Sequence, residues 1–212
     1  MIIDRENNAL IIAEWGNRRV MRWSRQSSPD GEILIENIHC HGLAMHRDGT
    51  LYVSDCIRNE VKRWRKGETE GTIVAGGNGE GKRRHQLDMP TYLFVDDDHT
   101  LYVSDRNNER VMKWMKDAKE GIVVAGGNRQ GNSSTQFASP QGVKVDQFGQ
   151  IYVVDYGNNR VMRWCEETKT GTVVIDSHTS RLCGPRGLAF DSEGNLYVAD
   201  CENHRIQKYL LD

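Results

Sequence analysis

The sequence predicts an all-β fold of repeated four-stranded antiparallel blades, a β-propeller, and three observations carry that expectation. One short phrase, apolar and then acidic, recurs along the 212 residues: LYVSD at 51–55 returns as LYVSD at 101–105, IYVVD at 151–155 and LYVAD at 196–200, with a degenerate copy, LIIAE, at 10–14. The closing acids, Glu14, Asp55, Asp105, Asp155 and Asp200, stand 41, 50, 50 and 45 residues apart, and nine positions after each comes Trp23, Trp64, Trp114, Trp164 or Tyr209. The chain also carries 21 Gly against only 4 Pro, which suits many tight turns between short strands. Self-similarity at this period marks a blade or solenoid unit.

The elements can be read in order within the fourth unit. Residues 142–146 (GVKVD) form a β-rich run, 147–150 (QFGQ) a turn and 151–154 a second strand. Residues 156–159 (YGNN) turn the chain again, 160–164 (RVMRW) form a third strand and 171–175 (GTVVI) a fourth. No unit holds a ten-residue stretch of 3.6 periodicity, which excludes leucine-rich and helical repeats. Applied throughout, this reading gives one propeller domain over 1–212, with repeats near 1–36, 37–77, 87–127, 138–176 and 183–212. The first unit offers only Ile2-Ile3-Asp4 as an inner strand, and the last reaches Asp212 without a fourth. About five blades are expected, either as a five-bladed ring or as an open arc. An exposed blade edge would invite strand pairing with a second copy of the chain.

Composition narrows the partners. The 28 Lys and Arg against 30 Asp and Glu leave a formal charge of −2, so no global basic field exists to hold a polyanion. No run of 18 apolar residues is present, and residues 1–10 lack a basic segment followed by an apolar one. The expectation is a soluble chain with no membrane partner, cytoplasmic by default. Cys40, Cys56, Cys165, Cys183 and Cys201 are odd in number and include no C-x-x-C pair, which argues against a complete disulfide framework or a ribbon-type zinc site.

Pro-x-Gly-(Leu/Val)-x-x-Asp, then (Leu/Ile)-Tyr-Val-x-Asp, then Asn-x-Arg-(Val/Ile)-x-(Lys/Arg)-Trp resembles the NHL repeat, most clearly over 140–164 and 185–209. The linkers VAGGN at 74–78 and 124–128 are similar to linkers of that family. The resemblance spans essentially the whole chain. It implies a propeller, usually of six blades, so five copies also fit a truncated arc of a six-bladed one. It implies protein partners most often and RNA sometimes. Because one fold hosts many functions, it implies little about activity.

Each recurring residue has a structural reading beside a functional one. Asp55, Asp105, Asp155 and Asp200 sit where the second strand turns into the third. Counted from these acids and from Glu14, Asn17, Asn108, Asn158 and Asn203 follow three residues on, and Arg19, Arg110, Arg160 and Arg205 five on. An Asx side chain satisfies turn amides and an arginine fork fits a carboxylate, so the trio reads as a turn-fixing set. The second unit breaks it with Arg58-Asn59-Glu60. Arg22, Arg63, Lys113, Arg163 and Lys208 are basic just before each aromatic residue. They could hold phosphate or an acidic partner, but basic side chains also pack over neighbouring rings and pair with local acids. The tryptophans read as core between blades. The Gly-rich stretch at 76–81 leads to a strand and not to a helix, so it lacks the amide cluster that cradles phosphate. Lys82-Arg83-Arg84-His85 is the strongest local basic cluster, a candidate RNA patch with no stacking aromatics interleaved.

The candidate binding residues stand at the position after the proline that opens the first strand, beside the central channel: Thr91, Gln141 and Arg186, with His41 at the matching place after Cys40. The repeat pattern is also similar to that of an amidating lyase acting on peptidyl hydroxyglycines, in which histidines at this place hold zinc. Here only His41 matches, and a catalytic zinc takes three protein ligands. On a strand His39 and His41 would share a face, with Cys40 between them and His46 nearby, giving at most a two-point clamp. No G-x-S-x-G, H-E-x-x-H or D-x-D-x-D-G motif occurs. The expectation is therefore a non-catalytic platform for a protein or other macromolecule, with no cofactor, no metal and no catalytic residue. The alternatives are a metal-dependent lyase or hydrolase working in the channel, and RNA binding at residues 82–85.

Overall fold

The computed structural model describes residues 1–25, 31–165 and 167–211. Residues 26–30 of the first expected repeat, 166 of the fourth and 212 of the fifth lie outside the described residues.

The fold is all-β, and its sheets are five propeller blades. The first blade is β1 (Ile2–Asp4), β2 (Ala9–Glu14), β3 (Arg19–Ser24) and β4 (Glu32–Glu36). The second is β5 (Cys40–Met45), β6 (Leu51–Asp55), β7 (Glu60–Trp64) and β8 (Thr72–Gly76). The third is β9 (Pro90–Val95), β10 (Leu101–Asp105), β11 (Arg110–Trp114) and β12 (Ile122–Gly126). The fourth is β13 (Pro140–Val145), β14 (Ile151–Asp155), β15 (Arg160–Trp164) and β16 (Thr172–Ile175). The fifth has three described strands, β17 (Pro185–Phe190), β18 (Leu196–Asp200) and β19 (Arg205–Tyr209). Strands pair in chain order within every sheet, so each blade is a meander of hairpins.

The nine-residue offset between acid and aromatic follows from hairpin register. In the fourth blade Asp155 pairs with Arg160 and Ile151 with Trp164. Five pairs around a four-residue turn place the aromatic opposite the first residue of the phrase. The same register sets Leu51 against Trp64 and Leu196 against Tyr209. The phrase itself is buried at every position of β6, β10 and β14. A strand covered on both faces has no solvent side to vary, which is why it reads apolar without alternation.

Two glycine positions show why the repeat is conserved inside the chain. A Cβ on Gly171 would lie 2.6 Å from the Trp164 ring, and one on Gly71 would lie 2.4 Å from Trp64, so the start of the fourth strand can cross the indole only as glycine. A Cβ on Gly42 would lie 2.1 Å from the carbonyl oxygen of Thr91, so β5 and β9 approach backbone to backbone. The Ser54 hydroxyl joins the two strands: it accepts from the Gly42 amide at 2.7 Å and donates to the Thr91 carbonyl at 2.7 Å.

By contacts the chain forms two compact units, Met1–Leu101 with Lys113–Ile122, and Tyr102–Met112 with Val123–Asp212. In the first, Ile11, Val20, Leu43, Leu51, Val53 and Trp64 build a core between the sheets of the first two blades. In the second, Tyr152, Val154, Val161, Leu188, Leu196 and Val198 do the same for the last two. Each fully buried aliphatic side chain contributes about 1.5–3 kcal/mol. Among the described residues no helix is long and apolar enough to cross a membrane.

Three local features refine the sequence expectation. The first strand of the fourth blade begins at Pro140 and not at 142, because a bulge between Pro140 and Val143 lets Pro140 pair with Asp155. Residues 156–159 form one 3-10 turn closed by Asn159 at φ 51°, a left-handed residue of the kind Asn tolerates. A four-residue helix, α1 (Ser177–Ser180), sits in the last linker, capped by the Asp176 carboxylate, which accepts from the amides of His178 and Thr179.

Candidate functional site

The recurring acids lock the turns. Asp155 Oδ1 accepts from the Ala138 amide at 2.7 Å, and Oδ2 accepts from Asn158 Nδ2 at 2.8 Å and Arg160 Nε at 2.7 Å. The rest of the Arg160 fork donates to the carbonyls of Asn132, Ser133 and Gln136, tying the preceding linker to the turn. Asp200 repeats the set with the Cys183 amide, Asn203, Arg205 and Gln207. Asp105 accepts from Asn108 and Arg110, and Glu14 from Asn17 and Arg19.

The second blade is the exception. Glu60 takes the arginine's place and pairs across the hairpin with Asp55, burying two acids side by side. Arg58, two residues earlier, supplies the cation: Nη1 lies 3.3 Å from Asp55 Oδ2 and 3.1 Å from the Asn37 carbonyl. Lys62 Nζ faces Glu60 Oε1 at 3.2 Å.

Three of the five basic residues before the aromatics face local acids. Arg22 faces Glu32 at 3.2 Å, Arg63 faces Asp117 at 3.9 Å, and Lys208 faces Asp191 at 3.5 Å while lying over the Tyr197 ring. The aromatics are core: Trp114 and Trp164 are among the largest fully buried side chains.

The four residues that follow the opening position of the first strands sit in unlike surroundings. Thr91 and Gln141 are buried, and both backbone carbonyls accept a serine hydroxyl, from Ser54 and Ser104 respectively. Gln141 Oε1 is buried with no hydrogen-bond partner among the described residues. His41 is half-buried, edge-on to the Tyr92 ring with centroids 5.4 Å apart. Arg186 is exposed, its guanidinium 5.1 Å from the centre of the Tyr156 ring, whose hydroxyl donates to Glu202 at 3.3 Å.

The basic cluster occupies a loop that the chain builds twice. Glu80 bridges to Leu87 in the first copy, and Gln130 to Phe137 in the second. The side-chain amide of Gln86 donates to the Asn78 carbonyl at 3.1 Å, as that of Gln136 does to Asn128 at 2.9 Å. Leu87 and Phe137 anchor the two loops as fully buried side chains. Gly121 donates to the Arg84 carbonyl and Gly171 to that of Ser134. Lys82, Arg83 and Arg84 are exposed and His85 is half-buried, where the second copy carries Asn132, Ser133, Ser134 and Thr135.

The two-point clamp that a regular strand would allow at His39 and His41 does not form. His39 precedes β5, and the bulge between Cys40 and Leu43 breaks the alternation that would align it with His41. His46 instead stacks on His99, a residue the sequence reading passed over, with ring centroids 3.7 Å apart. The available signal was a break in the repeat. His46 stands where Asp96, Asp146 and Asp191 stand in the next three blades, and His99 stands where Gly49, Gly149 and Gly194 do.

The NHL repeat model matches residues 137–163 and 182–209. A search of curated proteins finds no match. Solved structures share the fold at low identity. A structural-genomics protein of unknown function from Bacteroides thetaiotaomicron is 19% identical with a TM-score of 0.76, over 99% of this chain and 58% of that one. A chain of a nidogen/laminin complex is 18% identical with a TM-score of 0.75, over 94% and 73%. A gluconolactonase from Xanthomonas campestris is 15% identical with a TM-score of 0.71, over 91% and 66%. The chain thus spans less than two thirds of the first of these, and the set mixes enzyme and non-enzyme names on one fold.

Proposed function

We propose that this β-propeller, two of whose blades match the NHL repeat model, is a non-catalytic platform that binds a protein partner carrying an acidic surface. The supporting observation is the loop built twice. Both copies use the same bridge, the same glutamine staple and the same buried anchor, yet only residues 82–85 are basic. Three exposed basic residues in succession give this copy of the loop a positive field that the second copy lacks, and that field suits an acidic counterpart. The recurring Asp, Asn and Arg residues are committed to their own turns and offer no free acid–base pair. Arg186, exposed after the residue that opens its blade's first strand, is a further position able to contribute to specificity.

The loop repeat supplies its own control. Replacing residues 82–85 by the second copy's residues (Lys82→Asn, Arg83→Ser, Arg84→Ser, His85→Thr) should leave the fold and melting temperature unchanged. A poly-glutamate column should retain the wild type at low salt and release the variant at least ten times more readily. Salt-sensitive binding to single-stranded RNA, lost in the same variant, would replace the protein partner with RNA. Turnover of a lactone, peptidyl or glycoside substrate that Arg186→Ala abolishes, with or without added Zn²⁺ or Ca²⁺, would overturn the non-catalytic reading.

A further inference from the structure

The turn between the first and second strands repeats one device. Asp146 Oδ1 accepts from the amides of Phe148 and Gln150, and Asp191 Oδ1 from those of Glu193 and Asn195. Gly149 and Gly194 fill the left-handed position at φ 76° and 83°. The second and third blades each depart once, and the two departures face one another. His46 replaces the turn acid of the second blade. His99 replaces the turn glycine of the third, holding φ 61° where a glycine is easier.

The Asp48 carboxylate lies between the two rings, with Oδ1 2.8 Å from His46 Nδ1 and Oδ2 3.4 Å from His99 Nε2. The three donor groups lie within 4.8 Å of one another. Each histidine uses its other nitrogen on a fixed partner: His46 Nε2 is 3.2 Å from the Asp97 carbonyl, and His99 Nδ1 is 3.0 Å from the Tyr52 hydroxyl. The Asp48 amide also faces His46 Nδ1, at 3.3 Å.

We propose that His46, Asp48 and His99 bind a first-row divalent cation of the zinc type, bridging the first hairpin turns of the second and third blades. Two imidazoles and one carboxylate form an N,N,O donor set that suits such ions. Neighbouring ligands of a tetrahedral zinc stand about 3.4 Å apart for bonds of about 2.0–2.1 Å; the Asp48–His99 pair meets this at 3.4 Å, and the Asp48–His46 pair, at 2.8 Å, has to open to admit the ion. The Asp97 carbonyl and the Tyr52 hydroxyl are the outer partners that fix which ring nitrogen faces the ion. His46 is buried and Asp48 is exposed, so solvent reaches the site from the carboxylate side, where a water would complete the coordination.

The test uses Zn²⁺ and Co²⁺ on the full chain after chelator treatment and dialysis. The expected result is one bound Zn²⁺ per chain, a raised melting temperature, and a tetrahedral Co²⁺ spectrum without a thiolate band. His46→Asn and His99→Gly restore the kind of residue the other blades use, so both variants should fold with the melting temperature of the metal-free wild type. Each should weaken Zn²⁺ binding at least a hundredfold. Absence of stoichiometric binding, binding that survives both substitutions, or a thiolate-to-cobalt band placing the ion on cysteine would each overturn the proposal.

Discussion

The turns at Asp155 and at Asp55 both close on a left-handed asparagine, Asn159 and Asn59, and carry the same buried acid, yet they are held by different chemistry. At Asp155 an arginine five residues on pairs with the carboxylate and reaches three carbonyls of a long linker. At Asp55 the preceding linker is only residues 37–39, between β4 and β5, and the cation comes from Arg58, half in solvent, reaching one carbonyl. In the third and fourth blades, which follow linkers of residues 77–89 and 127–139, the arginine sits on the third strand and is buried. In the second, which follows three linker residues, the cation sits on the turn itself and the strand position carries Glu60.

The largest effect expected to break this contrast is Arg160→Ala. It removes one partner of a buried pair and three linker hydrogen bonds, and should cost about 3–5 kcal/mol in equilibrium denaturation. Arg58→Ala, acting on a side chain 52% exposed, should cost no more than about 1 kcal/mol. Equal losses at the two sites would end the distinction between them. Between these extremes, adding Glu60→Arg to Arg58→Ala should recover most of that smaller loss by returning the cation to its place in the repeat, and a double variant weaker than the single one would show that the short linker cannot seat it.

The smallest effect is one of pH. Burial pushes the Asp155 carboxyl above its ordinary value despite the bonds from Asn158, Ala138 and Arg160. At Asp200 burial also raises the carboxyl, but the Cys183 amide, Asn203, Arg205 and Gln207 outweigh it and hold it at about 2. Asp200, depressed, contributes stability that is present above the ordinary carboxylate range and lost as pH falls through about 2. Asp155, raised, carries a cost of burying its charge that fades as pH falls through its elevated value. In a carboxyl-carbon NMR titration Asp155 should therefore protonate first on acidification, and the reverse order would refute the burial argument.

Much of this fold was legible in the sequence because the hairpin register is a spacing rule. The recurring phrase, the aromatic nine residues on and the glycine that crosses it all mark positions where a neighbour leaves room for one residue type. The same logic identified the turn sets at Asp105, Asp155 and Asp200. The bulge at Pro140 and Val143 was not legible, since nothing in a strand's composition says where its ladder slips, and the face assigned to His39 and His41 failed for that reason. His99 was overlooked because attention went to histidines close in sequence, whereas its partner lies 53 positions away in the same turn of the adjacent blade. A histidine where sibling turns carry glycine was the readable sign.

The linkers separate what the blades cannot change from what they can. Between β8 and β9 the chain spends residues 77–89, and between β12 and β13 residues 127–139, against three residues between β4 and β5. The intervals of 50 and 41 residues between successive acids thus differ by added linker, while the hairpins themselves keep their length. Seen as an engineering scaffold, the molecule has a port: a peptide or tag placed at residues 82–85 enters a loop whose ends are already clamped together, whereas one residue added between Asp155 and Trp164 would turn an indole out of the core.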